Sequence, residues 1–243
     1  MTILTVIPAR LAATRLPHKP LADIHGFPMI VHVMKQALKA EIGPVIVACD
    51  GPEIKNVVEA HGGIAIITDP ALPSGTDRVH AAMKIVDPKG QYNLIVNVQG
   101  DQPNLNSDDL RLMAQFMTET DHDITTIAAA TIDDSDRTNP NVVKIAMTAT
   151  SLGAKTKSYY FSRSCIPNEA KTIYHHIGVY GYKRIALERF VSLKPSYLEI
   201  NERLEQLRAI EDGMRIHVVV VGSIPQSVDT PEDLEKVKKL IAR

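Results

Sequence analysis

Several residue types are scarce in this chain, and each scarcity excludes a class of protein. The 243 residues contain no tryptophan and two cysteines, and aromatic residues make up 5%. Cys49 and Cys165 lie far apart, form no CxxC pair and have no Cys/His spacing that would close a zinc site. A cysteine-based zinc centre is therefore excluded, and the cysteine usage favours a reducing compartment.

An excess of charge of one sign and a long apolar run are also missing. The 27 Lys+Arg against 28 Asp+Glu give a formal net charge of −1, which excludes a general binder of polyanions. No apolar run is long enough to span a bilayer, and residues 1–8 lack the cationic start of a secretory signal. We therefore expect a globular, cytoplasmic protein that binds neither nucleic acid nor membranes.

Short apolar runs alternate with helical patterns in the first hundred residues. Helices are predicted after Pro28, before Gly62-Gly63 and over 79–86. Strands that alternate with helices predict a parallel sheet with helices on both faces, an α/β fold. The predicted strands, each buried on both faces, are residues 3–7, 45–48, 64–67 and 94–98.

The pattern changes after Asp101, where short strand candidates are separated by polar loops. A smaller, more antiparallel subregion is predicted at 124–182, and no linker separates two domains, so we expect one domain over 1–243. The strands predicted there are 124–129, 142–149, 158–162 and 174–182. The remaining predictions are helices at 108–117, 185–192, 197–212 and 232–241 and a buried strand at 216–221.

The loop after the first predicted strand carries three cations, Arg10, Arg15 and Lys19. This loop lies at the edge where doubly wound sheets bind ligands, and cations there suit a triphosphate. A solvated basic loop is the alternative, which the position after strand one disfavours. Neither GxxxxGK[ST] nor GxGxxG occurs, so side chains would have to hold a nucleotide.

The segment from Ser74 to Arg78 precedes a predicted helix and has two interpretations. Gly75 and the hydroxyl residues would let backbone N–H groups approach a ligand, and Arg78 adds charge. Alternatively, Ser74 or Thr76 caps the helix. The segment alone does not decide between the two.

Two carboxylates are candidate ligands of a divalent cation. Asp101 follows the strand 94–98 beside Gly100, which suits a hard cation, although it could equally cap a turn before Pro103. Asp229 precedes Pro231, where Asp229 or Thr230 would cap a helix. A capping carboxylate can still bind metal, because its oxygens have several lone pairs.

Aromatic and imidazole side chains concentrate in residues 174–182. On a strand, His176 and Tyr180 share a face and could line a polar pocket. An interface, or half-buried histidines with satisfied hydrogen bonds, is an equally good interpretation.

Together, and in this order, these segments resemble the 3-deoxy-manno-octulosonate cytidylyltransferase family. The resemblance runs from near residue 3 to near residue 239. It implies a nucleotidyltransferase fold of the glycosyltransferase-A-like type and a homodimeric, Mg²⁺-dependent enzyme. That enzyme would convert CTP and 3-deoxy-D-manno-octulosonate (Kdo) to CMP-Kdo and pyrophosphate for lipopolysaccharide assembly. The segments that carry the resemblance are residues 7–10, 14–21, 74–78, 97–101 with Pro103, 176–182, 204–208 and 228–234.

The resemblance also implies roles for individual residues. Asp101 and Asp229 would bind Mg²⁺ and, with Lys19, be catalytic. The nucleotide would contact Ala9, Arg10, Arg15, Lys19, Ser74, Gly75, Arg78 and Gly100. The sugar pocket would involve Gln99, Arg163, His176, Tyr180, Glu205 and Gln206. The subregion at 124–182 would serve sugar binding and dimerisation. The sequence departs from the family pattern at His18, Asp77, Gln102 and Cys165.

Three alternatives to transfer onto Kdo stay open on sequence grounds. The first is an enzyme of the same pattern that uses an 8-amino analogue of Kdo, and the second is another cytidylyltransferase or sugar-1-phosphate nucleotidyltransferase. The third is a non-catalytic regulator that binds nucleotides. Retention of Asp101 and Asp229 argues against the regulator, because it would need no metal carboxylates.

Overall fold

The computed structural model describes residues 1–12, 15–148 and 151–241. Its strands are β1 (Ile3–Ala9), β2 (Asp23–Ile24), β3 (Phe27–Pro28), β4 (Val45–Cys49), β5 (Ala65–Ile67), β6 (Leu94–Asn97), β7 (Ile124–Thr131), β8 (Lys144–Met147), β9 (Lys155–Ser162), β10 (Ile173–Lys183) and β11 (Ile216–Val221). Its α-helices are α1 (Met29–Lys39), α2 (Pro52–Ala60), α3 (Gly75–Val86), α4 (Ser107–Glu119), α5 (Asp134–Thr138), α6 (Arg184–Ser192), α7 (Tyr197–Glu202), α8 (Leu207–Glu211) and α9 (Pro231–Leu240). A short 3₁₀ helix covers Lys19–Leu21.

The described residues divide into two compact units. The first takes in those of Met1–Arg111 and those of the stretch that begins at Pro225, and the second is built from Leu112–Ile224. The subregion predicted at 124–182 belongs to the second unit. The expectation of one domain with a smaller subregion stays a prediction.

The first unit contains four parallel strands in the order β5, β4, β1, β6. The runs of apolar, β-branched residues in β1, β4 and β6 are buried, as parallel strands covered on both faces require. Helix α1 starts after Pro28 and buries Ile30, Met34 and Ala37 along one side. The predicted α/β fold with a mainly parallel sheet is confirmed.

The burial predicted for one strand of this unit is wrong. Residues 64–67 were expected to be buried on both faces, but Ile64 is 57% and Ile67 is 45% exposed. The strand itself is the shorter β5, which lies at the end of the strand order and pairs with β4. An edge strand has a neighbour on one side, so less of its apolar surface is covered.

The second unit has a mixed strand pattern. Strand β7 pairs antiparallel with β10 and parallel with β11, while β9 pairs antiparallel with both β11 and β8. The expectation of a more antiparallel region is confirmed, with the β7–β11 pair as a parallel exception. Of the strand predicted at 142–149, β8 covers 144–147, and residue 149 lies outside the described residues.

The single helix predicted over 197–212 is wrong, because the structure has two short helices there. Helix α7 ends at Glu202, and Arg203 adopts a left-handed conformation with φ 55°. The guanidinium of Arg163 donates to the backbone carbonyls of Glu202 (2.9 Å) and Arg203 (3.2 Å). These carbonyls are satisfied by a side chain instead of by a continuing helix, so the chain turns before α8 begins.

None of the helices in the described part of the chain combines the length and the apolar character that a membrane span needs.

Candidate active site

A cavity of about 370 Å³ lies in the first unit, where β1 and β6 end. Gln99, which was predicted for the sugar, also lines this cavity. Every residue predicted for the nucleotide or the metal lines it: Ala9, Arg10, Arg15, Lys19, Ser74, Gly75, Arg78, Gly100, Asp101 and Asp229. The location agrees with the rule that α/β sheets bind ligands at the carboxyl ends of their strands, while the individual roles stay predictions.

Lys19 brings the two candidate metal carboxylates together. Its Nζ donates to Asp101 Oδ2 at 2.9 Å and to Asp229 Oδ1 at 3.0 Å. Arg15 Nη2 lies 3.2 Å from the other oxygen of Asp229, Oδ2. Burial opposes the charged ammonium, but the charges and hydrogen bonds of Asp101 and Asp229 outweigh it and raise the pKa of Lys19. Two carboxylates 128 positions apart in sequence therefore share one cation.

The carboxylate of Asp229 is not the cap of the helix that follows it. Thr230 caps α9, because its Oγ1 accepts from the backbone N–H of Asp233 at 3.2 Å. The Asp233 carboxylate accepts in return from the N–H groups of Asp229 and Thr230. The capping box thus holds the backbone of Asp229 and leaves its carboxylate for Arg15 and Lys19.

Buried apolar contacts and backbone hydrogen bonds fix the segment that carries Asp229. Val228 is fully buried, and its N–H donates to the carbonyl of Asp101 at 2.9 Å. The N–H of Gln226 donates to Asn104 Oδ1 at 2.9 Å. Val228 packs in a core cluster with Ile24, Met29 and Val237, against which Leu16 of the basic loop also packs. The same contacts therefore tie the basic loop, the turn after β6 and the Asp229 segment together.

Sequence reasoning missed the residue that holds the start of the basic loop. The N–H of Leu11 lies 3.2 and 3.1 Å from the two carboxylate oxygens of Asp50. Asp50 directly follows β4, as Asp101 follows β6 after a short turn. Its place at the carboxyl end of a predicted strand was the signal that could have identified it.

The segment from Ser74 to Arg78 performs the capping role that the sequence left open. Ser74 caps α3, accepting from the N–H of Asp77 at 3.2 Å and donating to the Asp77 carboxylate at 2.7 Å. Arg78 is 3% exposed, and its guanidinium donates to Thr68 Oγ1 (2.6 Å) and to the carbonyl of Asp69 (3.3 Å). Ser74 and Arg78 also line the cavity, so their predicted contact with the nucleotide stays a prediction.

Gly100 permits a close approach between the ends of two strands. A Cβ atom at this position would lie 2.7 Å from the carbonyl oxygen of Pro8, which is shorter than real Cβ contacts. The neighbouring Gln99 amide donates to Asn97 Oδ1 at 3.3 Å. The floor of the cavity therefore requires glycine where the turn passes β1.

The structure brings His176 and Tyr180 together in the second unit. Their ring centroids are 5.3 Å apart, and the pairing register of β10 with β7 shifts between Ile177 and Tyr180. His176 is 9% exposed, its Nε2 lies 3.0 Å from Thr126 Oγ1, and burial lowers its pKa to about 3. His176 is thus a neutral, hydrogen-bonded ring. It agrees with the interpretation that the histidines of this strand are buried with their hydrogen bonds satisfied. A role toward the sugar stays a prediction.

The other residues predicted for the sugar have different surroundings. Arg163 donates to three backbone carbonyls, those of Glu202 and Arg203 and, at 2.8 Å, that of Pro140. Gln206 is 6% exposed, and its Nε2 has no hydrogen-bond partner among the described residues. Glu205 precedes it between α7 and α8. Arg163 thus has a structural task, and a role of Gln206 toward the sugar stays a prediction.

The described side chains contain no group of three or more His, Cys, Asp and Glu that could enclose a metal ion. The pair Asp101 and Asp229 is a smaller donor set, and one cation already bridges it. Mg²⁺ is commonly bound by one or two carboxylates together with substrate phosphates and water. The residues present therefore fit a magnesium ion that arrives with a phosphate ligand.

Comparisons with known proteins identify the family of this chain. A family model described as cytidylyltransferase matches residues 4–216. The 3-deoxy-manno-octulosonate cytidylyltransferase of Paramagnetospirillum magneticum is 48% identical over 99% of this chain and 98% of its own length. The enzyme of that name from Parvibaculum lavamentivorans is 50% identical, over 99% of this chain and 93% of its own.

Solved structures give the same result. A structure of CMP:2-keto-3-deoxy-manno-octonic acid synthetase complexed with CTP has a TM-score of 0.88 at 36% identity, covering 99% of this chain and 98% of that one. A cytidylyltransferase from Leptospira borgpetersenii shares the fold, with a TM-score of 0.64 at 15% identity over 100% of this chain and 89% of its own. This chain belongs to the cytidylyltransferase family and, within it, to the 3-deoxy-manno-octulosonate cytidylyltransferases.

Proposed function

We propose that this chain transfers CMP from CTP to Kdo, giving CMP-Kdo and pyrophosphate for lipopolysaccharide assembly. The observation that carries the proposal is that Arg10, Arg15 and Lys19 of the basic loop line the same cavity as Asp101 and Asp229. The relatives named for this transfer are about half identical to the chain over nearly its full length, and a similar solved protein is complexed with CTP.

In this proposal the basic loop binds the triphosphate. Arg10, Arg15 and Lys19 line the cavity, and each charge-assisted hydrogen bond to a phosphate oxygen would contribute about 1.5–3 kcal/mol. Arg15 and Lys19 now contact carboxylates, and triphosphate oxygens would compete for the same N–H groups. These cations would also stabilise the charge that develops on the departing pyrophosphate.

Asp101 and Asp229 would hold a Mg²⁺ ion in this site. Their convergence on Lys19 supports the assignment, because the same oxygens can reach one shared cation. When bound, the ion would polarise the α-phosphoryl oxygen and lower the pKa of the attacking hydroxyl.

No nucleophilic side chain is needed for the transfer. The 2-hydroxyl of Kdo would attack the α-phosphorus of CTP and release its proton to solvent, while pyrophosphate would leave with the electrons of the broken phosphorus–oxygen bond. The protein's task is to align two anions and to offset their charge, which its cations would do together with the bound ion.

His176 and Tyr180 are proposed to serve the sugar. His176 is neutral and can donate or accept a hydrogen bond, and burial raises the pKa of Tyr180, which keeps its hydroxyl protonated. The variant Tyr180→Phe removes the hydroxyl and keeps the ring. It should raise KM for Kdo far more than KM for CTP, and an equal rise in both would contradict the assignment.

We also propose a cytoplasmic homodimer. Several large apolar side chains of the second unit, among them Ile132, Leu152, Tyr159 and Ile185, are between 58% and 79% exposed and could be covered by a second copy. Cys49 and Cys165 are both free thiols, which suits a reducing compartment. Light scattering of the purified chain would test the dimer.

The decisive experiment for the function measures pyrophosphate release with CTP, UTP or ATP, each with Kdo, with its 8-amino analogue and without a sugar. We expect turnover that requires CTP and Kdo, because cytosine and uracil present opposite hydrogen-bond groups at one edge. Equal kcat/KM for CTP and ATP would overturn the cytidylyl assignment. Tight CTP binding without turnover of any sugar would favour the regulatory alternative.

A second experiment tests the shared metal site. Asp101→Asn and Asp229→Asn each keep the side-chain size and remove the charge. Losing even ~3 kcal/mol of transition-state stabilisation would slow turnover about a hundredfold. Because both carboxylates would serve one ion, the double variant should be scarcely slower than the worse single variant. Losses that simply multiply would contradict a shared site.

A further inference from the structure

We propose that Asn104 is a positioning residue that sets the distance between Asp101 and Asp229. The inference rests on the proposed metal role of these two carboxylates and goes beyond it, because Asn104 itself does not line the cavity. Asn104 lies three positions after Asp101, in the turn between β6 and α4.

Two short segments have to keep a fixed separation for both carboxylates to reach one ion. The first is 101–104, and the second is 226–229. Three hydrogen bonds join them besides the Lys19 bridge. Val228 N–H donates to the Asp101 carbonyl at 2.9 Å, Gln226 N–H donates to Asn104 Oδ1 at 2.9 Å, and the Gln102 amide donates to Ser227 Oγ at 3.4 Å.

Side chains take part in two of these three hydrogen bonds, and the Asn104 bond is the shorter of the two. The bond from Val228 is between backbone groups and survives any side-chain substitution. The Gln102 bond is long, and the buried Gln102 Oε1 has no hydrogen-bond partner among the described atoms. Asn104 is therefore the side chain whose removal should most loosen the Asp229 segment.

The Asp229 segment is otherwise held from its other end. Val228 is anchored in the core, and Asp233 accepts from the N–H of Asp229 at 3.3 Å. Without Asn104, the chain before Val228 would keep only the long Gln102–Ser227 hydrogen bond to the turn that carries Asp101. The side chains that hold metal ligands in place typically contribute 10–100-fold to metal affinity or activity.

The chain offers both a rescue variant and a matched control. Asn104→Ala removes the acceptor, whereas Asn104→Asp keeps an oxygen at the same place. Asn106 belongs to the same turn and makes the same kind of bond, its Oδ1 accepting from the N–H of Asp108 at 2.9 Å. That bond lies within residues 106–108, so Asn106→Ala removes a turn contact without touching the Asp229 segment.

The test measures Mn²⁺ affinity by electron paramagnetic resonance in the full-length protein, saturated with a CTP analogue that has a methylene bridge between the α and β phosphorus atoms. Asn104→Ala should weaken Mn²⁺ binding about tenfold, and Asn104→Asp and Asn106→Ala should bind as the wild type does. In parallel, Asn104→Ala should lower kcat and leave KM for CTP unchanged. Its melting temperature should stay within about 2–4 °C of wild type.

Unchanged Mn²⁺ affinity in Asn104→Ala would overturn the inference. A Mn²⁺ affinity of Asn104→Asp as low as that of Asn104→Ala would overturn it as well. If Asn104→Ala does not fold, Asn104→Gln moves the acceptor by one methylene, and the same loss of affinity is expected. If the wild type itself binds no Mn²⁺ with the analogue, the proposed metal site fails and the inference fails with it. Normal wild-type binding together with an unaffected Asn104→Ala refutes the positioning role alone.

Discussion

At the scale of single residues, the ammonium of Lys19 lies where a shared metal ion would have to bind. It donates to both Asp101 and Asp229, and its side chain is 18% exposed. A divalent cation that approaches the free protein must therefore compete with a charge already present. A triphosphate would relieve this competition by offering Lys19 other acceptors.

This arrangement predicts a change in metal binding when Lys19 is removed. Lys19→Met keeps much of the side-chain length and removes the charge, so Mn²⁺ should bind more tightly to the nucleotide-free protein, by about tenfold or more. Turnover should fall, because the triphosphate loses a contact. Electron paramagnetic resonance without nucleotide measures the first effect.

Lys35→Met is the control for Lys19→Met. Lys35 lies on α1 with its Nζ 3.5 Å from the ring centre of Phe27, and it does not line the cavity. It should leave the Mn²⁺ affinity of the free protein unchanged. Mn²⁺ binding that Lys19→Met leaves at the wild-type level would show that the ammonium does not compete.

At the scale of elements, the site depends on how closely the ends of β1 and β6 approach. Gly100→Ala would place a methyl group 2.7 Å from the backbone carbonyl of Pro8, so a strand end would have to move. Such overpacking typically costs about 1–3 kcal/mol, which urea unfolding would measure.

Gly75→Ala is the matched control, because its added Cβ would lie 3.5 Å from a side-chain atom of the same Pro8, an ordinary contact. Gly75 is the first residue of α3, and alanine is a better helix former than glycine. We expect no loss of stability in Gly75→Ala. Equal stability of Gly100→Ala and wild type would disprove the close approach.

The elements themselves could largely be predicted, because apolar runs and helical spacing reflect burial. The failures have local physical causes. Hydrophobicity does not tell an edge strand such as β5 from a central one, and the break at Arg203 depends on a guanidinium from Arg163, forty positions away. In the site, strand ends identified the loops, but Asn104 looks like any polar turn residue until its partner Gln226 is known.

At the scale of the whole molecule, buried histidines make stability depend on pH. Burial, and next the charge of His217, lowers the pKa of His122 to about 4, and burial lowers that of His176 to about 3. Histidine in an unfolded chain has a pKa near 6.5. Below pH 6.5 these histidines bind protons in the unfolded state but stay neutral in the folded state. The stability that they contribute is therefore fully present above pH 6.5 and is lost as the pH falls toward 4 for His122 and 3 for His176.

We therefore expect the free energy of unfolding to decrease by about 1.4 kcal/mol per pH unit for each of these two histidines between pH 6 and 4. His122→Gln should reduce the slope of unfolding free energy against pH by about 1.4 kcal/mol per pH unit. Urea unfolding at several pH values measures it, with His61→Gln, at an exposed position, as the control. An unchanged slope in His122→Gln would contradict the buried neutral ring.

The first unit is assembled from two stretches of chain that are separated by the whole of the second. During synthesis on the ribosome, Ile24 and Met29 emerge long before Val228 and Val237, the core residues they pack against. In a nascent chain that has not reached Pro225, Ile24 and Met29 consequently lack these apolar partners, and Lys19 has Asp101 but not Asp229. The cavity that Asp229 lines can be complete only after translation of the stretch that begins at Pro225.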